Sequence, residues 1–272
     1  MRPGSAAIVG LSTVYAGFHV MGRVAGSTTA ERAAPAPGDE LVPCPQLRTD
    51  HATTIDAPPA AVWPWLTQMG WHLGGWYTPR WVDQLLFPAN WESLDRLDPN
   101  LIRNLQTGDV IPDGPPGTAQ YVVAHVEAPH VLVLRSTSHI PPGWDTKYGV
   151  EIVWTWCIQL IARTGGRTRV HLRVRGRARP WWFIVLYAAV IIPADYVMAT
   201  GMLRGLKRRA EQGGEPVVSG RAPLSPRLRE SCVLGASGSL PGQLEESGPP
   251  TEYKARPDPT RDLVRRAVTW RR

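Results

Sequence analysis

Residues 168–176 alternate without exception. Val170, Leu172 and Val174 fall on one parity, and Arg169, His171, Arg173 and Arg175 fall on the other. A period of two belongs to a β-strand, whose successive side chains point to opposite faces. An unpaired arginine is costly to bury, so the arginine parity must face outward and the aliphatic parity must face a core. On that reading His171 is exposed as well. The turn Thr164-Gly165-Gly166-Arg167 precedes this run. Before the turn, residues 150–162 place Trp154, Trp156, Ile158 and Leu160 on one parity and Thr155, Cys157 and Gln159 on the other. The neighbouring strand must share the core, so its tryptophan parity faces inward. Residues 121–127 and 131–136, separated by Ala-Pro-His, extend the pattern to an antiparallel sheet with one wet face and one apolar face.

Such a sheet needs cover, and two stretches can supply it. Residues 55–81, IDAPPAAVWPWLTQMGWHLGGWYTPRW, open with Pro58 and Pro59, which suit a helix start because their φ is preset and the missing N–H would be unpaired there anyway. Val62, Trp65, Leu66 and Met69 then fall at helical spacing, and Gly70, Gly74 and Gly75 release the backbone into an aromatic loop. Residues 181–192 are apolar on all sides. Pro193 is expected to interrupt them, and residues 195–211 read as a second helix ending in Lys207-Arg208-Arg209, where positive charge suits the helix dipole. Residues 81–87 read as a short helical turn, 108–112 as a short strand, and 47–56 as the first strand of the sheet.

Proline (27 residues) and glycine (26) are abundant, with much of the excess near the ends of the 272-residue chain. The expected organisation is therefore a weakly ordered leader and linker over 1–46, one folded domain over 47–211, and a largely disordered basic tail over 212–272. Thirty Lys and Arg against 23 Asp and Glu give a net charge of +7. No finger spacing or RNP-like aromatic signature accompanies that charge, so no nucleic-acid partner is expected. Cys44, Cys157 and Cys232 are far apart and odd in number, which supports neither a disulfide framework nor a thiolate metal site and fits a reducing compartment.

The order of strand, paired-proline helix, aromatic loop, antiparallel meander and long last helix resembles the START/polyketide-cyclase-like superfamily (SRPBCC). The resemblance rests on IDAPPAAVWPWLTQMG at 55–70, GGWY at 74–77, GDVIP at 108–112, GGRTRVHLRVR at 165–175 and MLRGLKRRAE at 202–211. The first and last of these are most similar to an actinobacterial-type branch of that superfamily. What the resemblance implies is an α+β helix-grip fold, a curved antiparallel sheet wrapped around a long C-terminal helix and enclosing an elongated cavity. Members bind lipids, sterols or polyketides there, and some catalyse cyclisation or dehydration. The superfamily has no universal catalytic motif, so no catalytic residue is assigned.

Inward parity and helical spacing nominate the residues that would line such a cavity: Trp65, Met69, Trp76, Tyr77, Trp81, Leu132, Leu134, Trp154, Trp156, Ile158, Leu172, Tyr196 and Met202. The alternative is that the tryptophans simply fill the core. None of the seven histidines pairs with another histidine or a carboxylate at metal-ligand spacing, and no nucleotide or phosphate fingerprint is present, so neither metal nor cofactor is expected. His72 in the aromatic loop, Asp83, Asp109 and Gln68 are the polar groups that could meet a ligand, with solvation, capping and turn roles as their simpler readings. The leading expectation is a cytoplasmic, non-catalytic binding protein for a hydrophobic small molecule. The alternatives are a polyketide cyclase or dehydratase-type enzyme, and a membrane-associated protein held through 181–203 with its basic C-terminus near anionic lipid.

Overall fold

The computed structural model describes residues 3–86 and 89–212; the tail expected beyond them lies outside the described residues. Six strands form one antiparallel sheet in the order β1-β6-β5-β4-β3-β2. They are β1 (Leu47–Ile55), β2 (Val110–Pro112), β3 (Gln120–Glu127), β4 (Val131–Ser136), β5 (Glu151–Arg163) and β6 (Arg167–Arg179). The hairpin read from the alternation is its centre, with Trp156 opposite Val174 and Ile158 opposite Leu172. A bulge between Val123 and His125 in β3 breaks the register and helps bend the sheet.

Leu132, Leu134, Trp154, Ile158, Leu160, Val170, Leu172 and Val174 make the inner face, and all are buried in one core cluster. Two helices cover them. In α3 (Pro59–Thr67), Val62, Trp65 and Leu66 are buried, with Pro59 in the first turn as the sequence suggests. The long α6 runs from Trp181 to Glu211 as a single helix. The expected break at Pro193 does not occur. A proline inside a helix lacks the N–H that would bond the carbonyl four residues back. That carbonyl, of Ala189, instead accepts the hydroxyl of Tyr15 at 2.6 Å. The donor comes from α1 (Pro3–Val24), a helix within the stretch expected to be a weakly ordered leader.

The outer face departs most from expectation. Arg173 and Arg175 do point away from α6, but they are not at water: Arg173 is 1% exposed, and His171 is buried too. The stretch expected as a linker lies over them. It contains α2 (Thr29–Ala33) and a 3-10 turn at Asp39–Leu41. Arg173 bonds Asp50 on β1 at 2.8 Å, Asp39 at 2.9 Å, and the carbonyls of Glu31, Arg32 and Ala34. Arg175 donates to the carbonyls of Val42 and Pro43, and Arg169 makes a two-pronged pair with Glu31. His171 sits 3.0 Å from Asp50. The premise that a buried arginine needs partners was right; carbonyls from an unpatterned segment supply many of them.

Candidate functional site

The interior between sheet and helices is closely filled. Trp76 meets Tyr121 and Trp156 at ring-centroid distances of 5.9 and 5.7 Å, and Trp154 meets Tyr187 at 5.1 Å. Trp65, Met69, Trp76, Leu132, Leu134, Trp154, Ile158, Leu172 and Met202 are all buried in this core, and the half-buried Trp156 packs against it. The indole N–H groups of Trp65, Trp76 and Trp156 have no hydrogen-bond partner among the described residues. A buried donor left unmade is costly, so an acceptor brought by a bound molecule would be welcome there.

The remaining three nominated residues, Tyr77, Trp81 and Tyr196, meet at the edge of this core, of which Tyr77 is itself a buried member. They line a groove of about 560 Å³ between the second half of α6 and residues 77–95, a segment that includes α4 (Arg80–Leu86). The loop before α4 turns sharply at Gly75, whose φ of +81° suits glycine and whose α-carbon lies against Ser93. Tyr77 follows with φ +61°, a left-handed backbone that a bulky residue adopts only when held. It is held three ways. Its hydroxyl donates to the Trp65 carbonyl at 2.7 Å, its N–H to Ser93 Oγ at 3.0 Å, and its ring lies 5.0 Å beneath the Arg209 guanidinium. Burial pushes the Tyr77 hydroxyl well above the usual phenol range, so it stays a neutral donor.

The groove is amphipathic. Trp81, Pro79, Tyr196 and Val197 give it an apolar wall. Charged residues crowd its other end. Arg80 pairs with Glu92, and Asp95 receives Arg209 at 2.8 Å and Arg208 at 3.4 Å. Arg204 lines the same groove, is exposed, and has no ion-pair partner among the described residues. Asp83 is buried in the wall, hydrogen-bonded by Thr78 and, at 3.5 Å, by Ser93. Burial pushes its carboxyl up, and those two hydrogen bonds only partly pull it back.

The other polar candidates take local roles. His72 is exposed, stacked on Trp91 at 4.5 Å, and its Nε2 is 3.1 Å from the Ala89 carbonyl. Gln68 accepts the Asp98 N–H and ties the end of α3 to a distant loop, and Asp109 accepts the Gln106 N–H within a turn. One grouping was not anticipated. His139 joins Ser136 Oγ at 2.6 Å to Asp113 Oδ2 at 2.7 Å. It has the composition of a nucleophile relay, but the serine oxygen also accepts the Ser138 N–H at 3.1 Å and sits 3.3 Å from the Ser138 hydroxyl. A serine so engaged ties the end of β4 to the loop after β2 and is poorly placed to attack a substrate. Among the described residues no three His, Cys, Asp or Glu side chains converge as a metal site requires.

With α6 laid along the inner face of a curved six-stranded sheet and α3 closing one end, the architecture is decided. This is the helix-grip fold. No protein-family model matches the sequence, and neither does any curated protein. Solved structures show the likeness at low identity. A hypothetical protein from Helicobacter pylori is 13% identical with a TM-score of 0.40, covering 68% of this chain and 99% of its own. A Thalictrum norcoclaurine synthase, solved as a point mutant with a transition-state analogue, is 12% identical with a TM-score of 0.35 over 61% of this chain and 94% of its own. An HSP90 activator from Plasmodium falciparum is 12% identical with a TM-score of 0.29 over 47% of this chain and 72% of its own. At such scores these similar structures carry no activity over to this chain.

Proposed function

We propose that the protein binds an amphipathic, largely apolar small molecule of lipid or polyketide type in the groove between α6 and residues 77–95. The supporting observation is the pairing of an aromatic wall, Trp81 with Tyr196, and an uncommitted cation, Arg204, in one concavity of about 560 Å³. Burying about 200 Å² of ligand carbon there would contribute about 5 kcal/mol before the cost of association. Arg204 would fix which end of the molecule faces out.

A suitable probe is 1-anilinonaphthalene-8-sulfonate, an apolar ring system with one anionic group. Calorimetric titration is expected to give one site. Arg204→Glu should weaken it about tenfold, the scale of a lost charge-assisted contact plus a new repulsion. Thr200→Trp, which fills the groove, should abolish it, and Trp156→Ala should leave it unchanged. Binding lost only in Trp156→Ala would move the site into the core. Binding indifferent to all three would end the proposal. Anchoring through the whole of 181–203 forms no part of this reading, since Ala199, Met202 and Leu203 are buried in the core.

One observation favours a catalytic variant of the same site, a cyclase or dehydratase. A buried carboxyl with a raised pKa facing a groove is the arrangement a proton carrier needs. Conversion of a poly-β-keto substrate at equal rates by the unaltered protein and by Asp83→Asn would set that variant aside; a loss of at least about a hundredfold is expected if it holds.

A further inference from the structure

Two helices carry apolar side chains that no described part of the chain covers. The sequence has no charged residue from 3 to 22, between Arg2 and Arg23. Most of this forms α1, and residues 10–18 of it are exposed without a break. Nine consecutive residues pass through two and a half turns, so the exposed surface is broader than a single stripe, with the side carrying Tyr15 and Phe18 turned toward α6. Leu11, at 74% exposed, and Val14, Phe18, Val20 and Met21 are among them or just beyond. An apolar surface this broad and free of charge suits a hydrocarbon phase. Twenty residues also rise about 30 Å, the thickness of a bilayer core.

The second helix is the first half of α6. Phe183 and Ile184 are buried against the fold, while Trp181 (73% exposed), Val185, Leu186 and Val190 face outward. Composition alone would let α6 cross a membrane, but its second half is committed to the protein. Asp195 accepts from Thr49 Oγ1 at 3.0 Å and lies 3.0 Å from His51 Nε2, both on β1, and Ala199, Met202 and Leu203 are core. Only the outer side of the first half is free.

The two surfaces are continuous. At Gly22 the backbone of α1 lies directly on the Ile192 carbonyl, where any side chain would collide, a close approach of the kind small residues permit between membrane helices. Tyr15 reaches the Ala189 carbonyl, and Phe18 packs on Tyr196 at 5.6 Å. Beside the start of α6 stands α5 (Trp144–Tyr148). Trp144, Tyr148 and Trp182 are in mutual ring contact within 6.2 Å, with Lys147 5.0 Å over Tyr148 and Arg179 just before the helix. Aromatic rings with basic residues at the edge of an apolar surface are the pattern of a lipid headgroup boundary, where the rings sit amphipathically and the cations meet phosphate.

We infer that α1 and the outward side of α6 between Trp181 and Val190 insert into a lipid bilayer, with the Trp144, Tyr148 and Trp182 cluster at headgroup level. The inference stands independently of the groove ligand. The test is flotation of the full chain on a density gradient with vesicles of phosphatidylcholine and phosphatidylglycerol. The unaltered protein is expected to rise with the vesicles and to stay with them in high salt, since apolar insertion is not screened. Val185→Glu combined with Val190→Glu, both at exposed positions, should lower the bound fraction at least about tenfold with an unchanged circular dichroism spectrum. Leu11→Glu with Val14→Glu should do the same from the other helix. A chain that stays at the bottom of the gradient overturns the inference. So does equal flotation of all three proteins, or a vesicle-independent dimer that the glutamates abolish.

Discussion

Replacing Arg173 by alanine is expected to cost about 3–5 kcal/mol of folding free energy, the range for removing one partner of a buried ion pair. The guanidinium has five N–H donors. The structure gives them Asp50, Asp39 and the carbonyls of Glu31, Arg32 and Ala34. Removing the group leaves Asp50 buried without its bond to Arg173 and loosens the segment 31–39, which Arg169 and Arg175 still hold at Glu31 and Asp39. Arg173→Lys should lose nearly as much, because a single ammonium cannot span acceptors that a planar fork reaches in several directions. Denaturant titration reads the loss. Faster amide exchange in residues 29–43 would locate it, and a variant as stable as the parent would refute the account.

The same network sets a pH dependence whose sign can be checked. Burial pushes the Asp50 carboxyl up, but hydrogen bonds from His171, Arg173 and Arg48 outweigh it and hold the value at about 2. For Glu31 the Arg169 hydrogen bond is the largest influence, and its carboxyl also lies at about 2. A folded-state value below the unfolded one means stability that is fully present above about pH 4 and lost as pH falls toward 2. In Arg173→Ala the deficit should narrow over that window, because a protonated Asp50 no longer needs the cation. A deficit constant from pH 7 to pH 2 would show that Arg173 acts through packing alone.

These two expectations show where the sequence was legible and where it was silent. The sheet could be read because a period of two forces each residue of β5 and β6 to one side, and the direction of the Trp154 and Arg173 parities followed from burial cost. What covers the arginines could not be read that way. Residues 34–43 carry no periodicity, and most of what they offer Arg173 and Arg175 is backbone carbonyl, which side-chain identity does not announce. A hint was present in retrospect: four basic or titratable groups on one parity of a central strand, with Asp50 on β1 and Glu31 and Asp39 upstream. The groove was half legible. Tyr77, Trp81 and Tyr196 were nominated as large aromatic side chains, and all three line the groove, Tyr77 from within the core cluster. Val197, Thr200, Arg204 and Arg208 recur at helical spacing along a second stripe of that helix, and a mixed small, polar and cationic stripe reads as plain solvent exposure until something packs beside it. In α1, the Ser, Thr and Gly that dilute the apolar run concealed a helix whose residues 10–18 are exposed.

Gly205→Ala is expected to destabilise the fold by about 1–3 kcal/mol and to disrupt the groove, although alanine is the better helix former. In an open helix the exchange would favour the folded state by up to about 1 kcal/mol. Here the α-carbon of Gly205 lies on the carbonyl of Tyr77, and an added methyl would overlap that oxygen and come within 3.0 Å of Arg209 Nη1. A side chain could rotate away, but a carbonyl in a backbone pinned at φ +61° cannot. One turn earlier Gly201 makes the same allowance for Pro79, whose ring carbon would be 2.6 Å from a methyl. The two glycines therefore let residues 77–79 lie flat on α6, and those residues form one wall of the groove. Displacing them should cost probe affinity as well as stability. The comparison that isolates the cause is Gly17→Ala in α1, where a methyl would meet nothing within 4 Å and the helix-propensity gain should appear unopposed. Opposite signs for the two variants in thermal melting would support the close approach. If both stabilise, Tyr77 is not seated against α6, and the groove lacks the wall that gives it an inside.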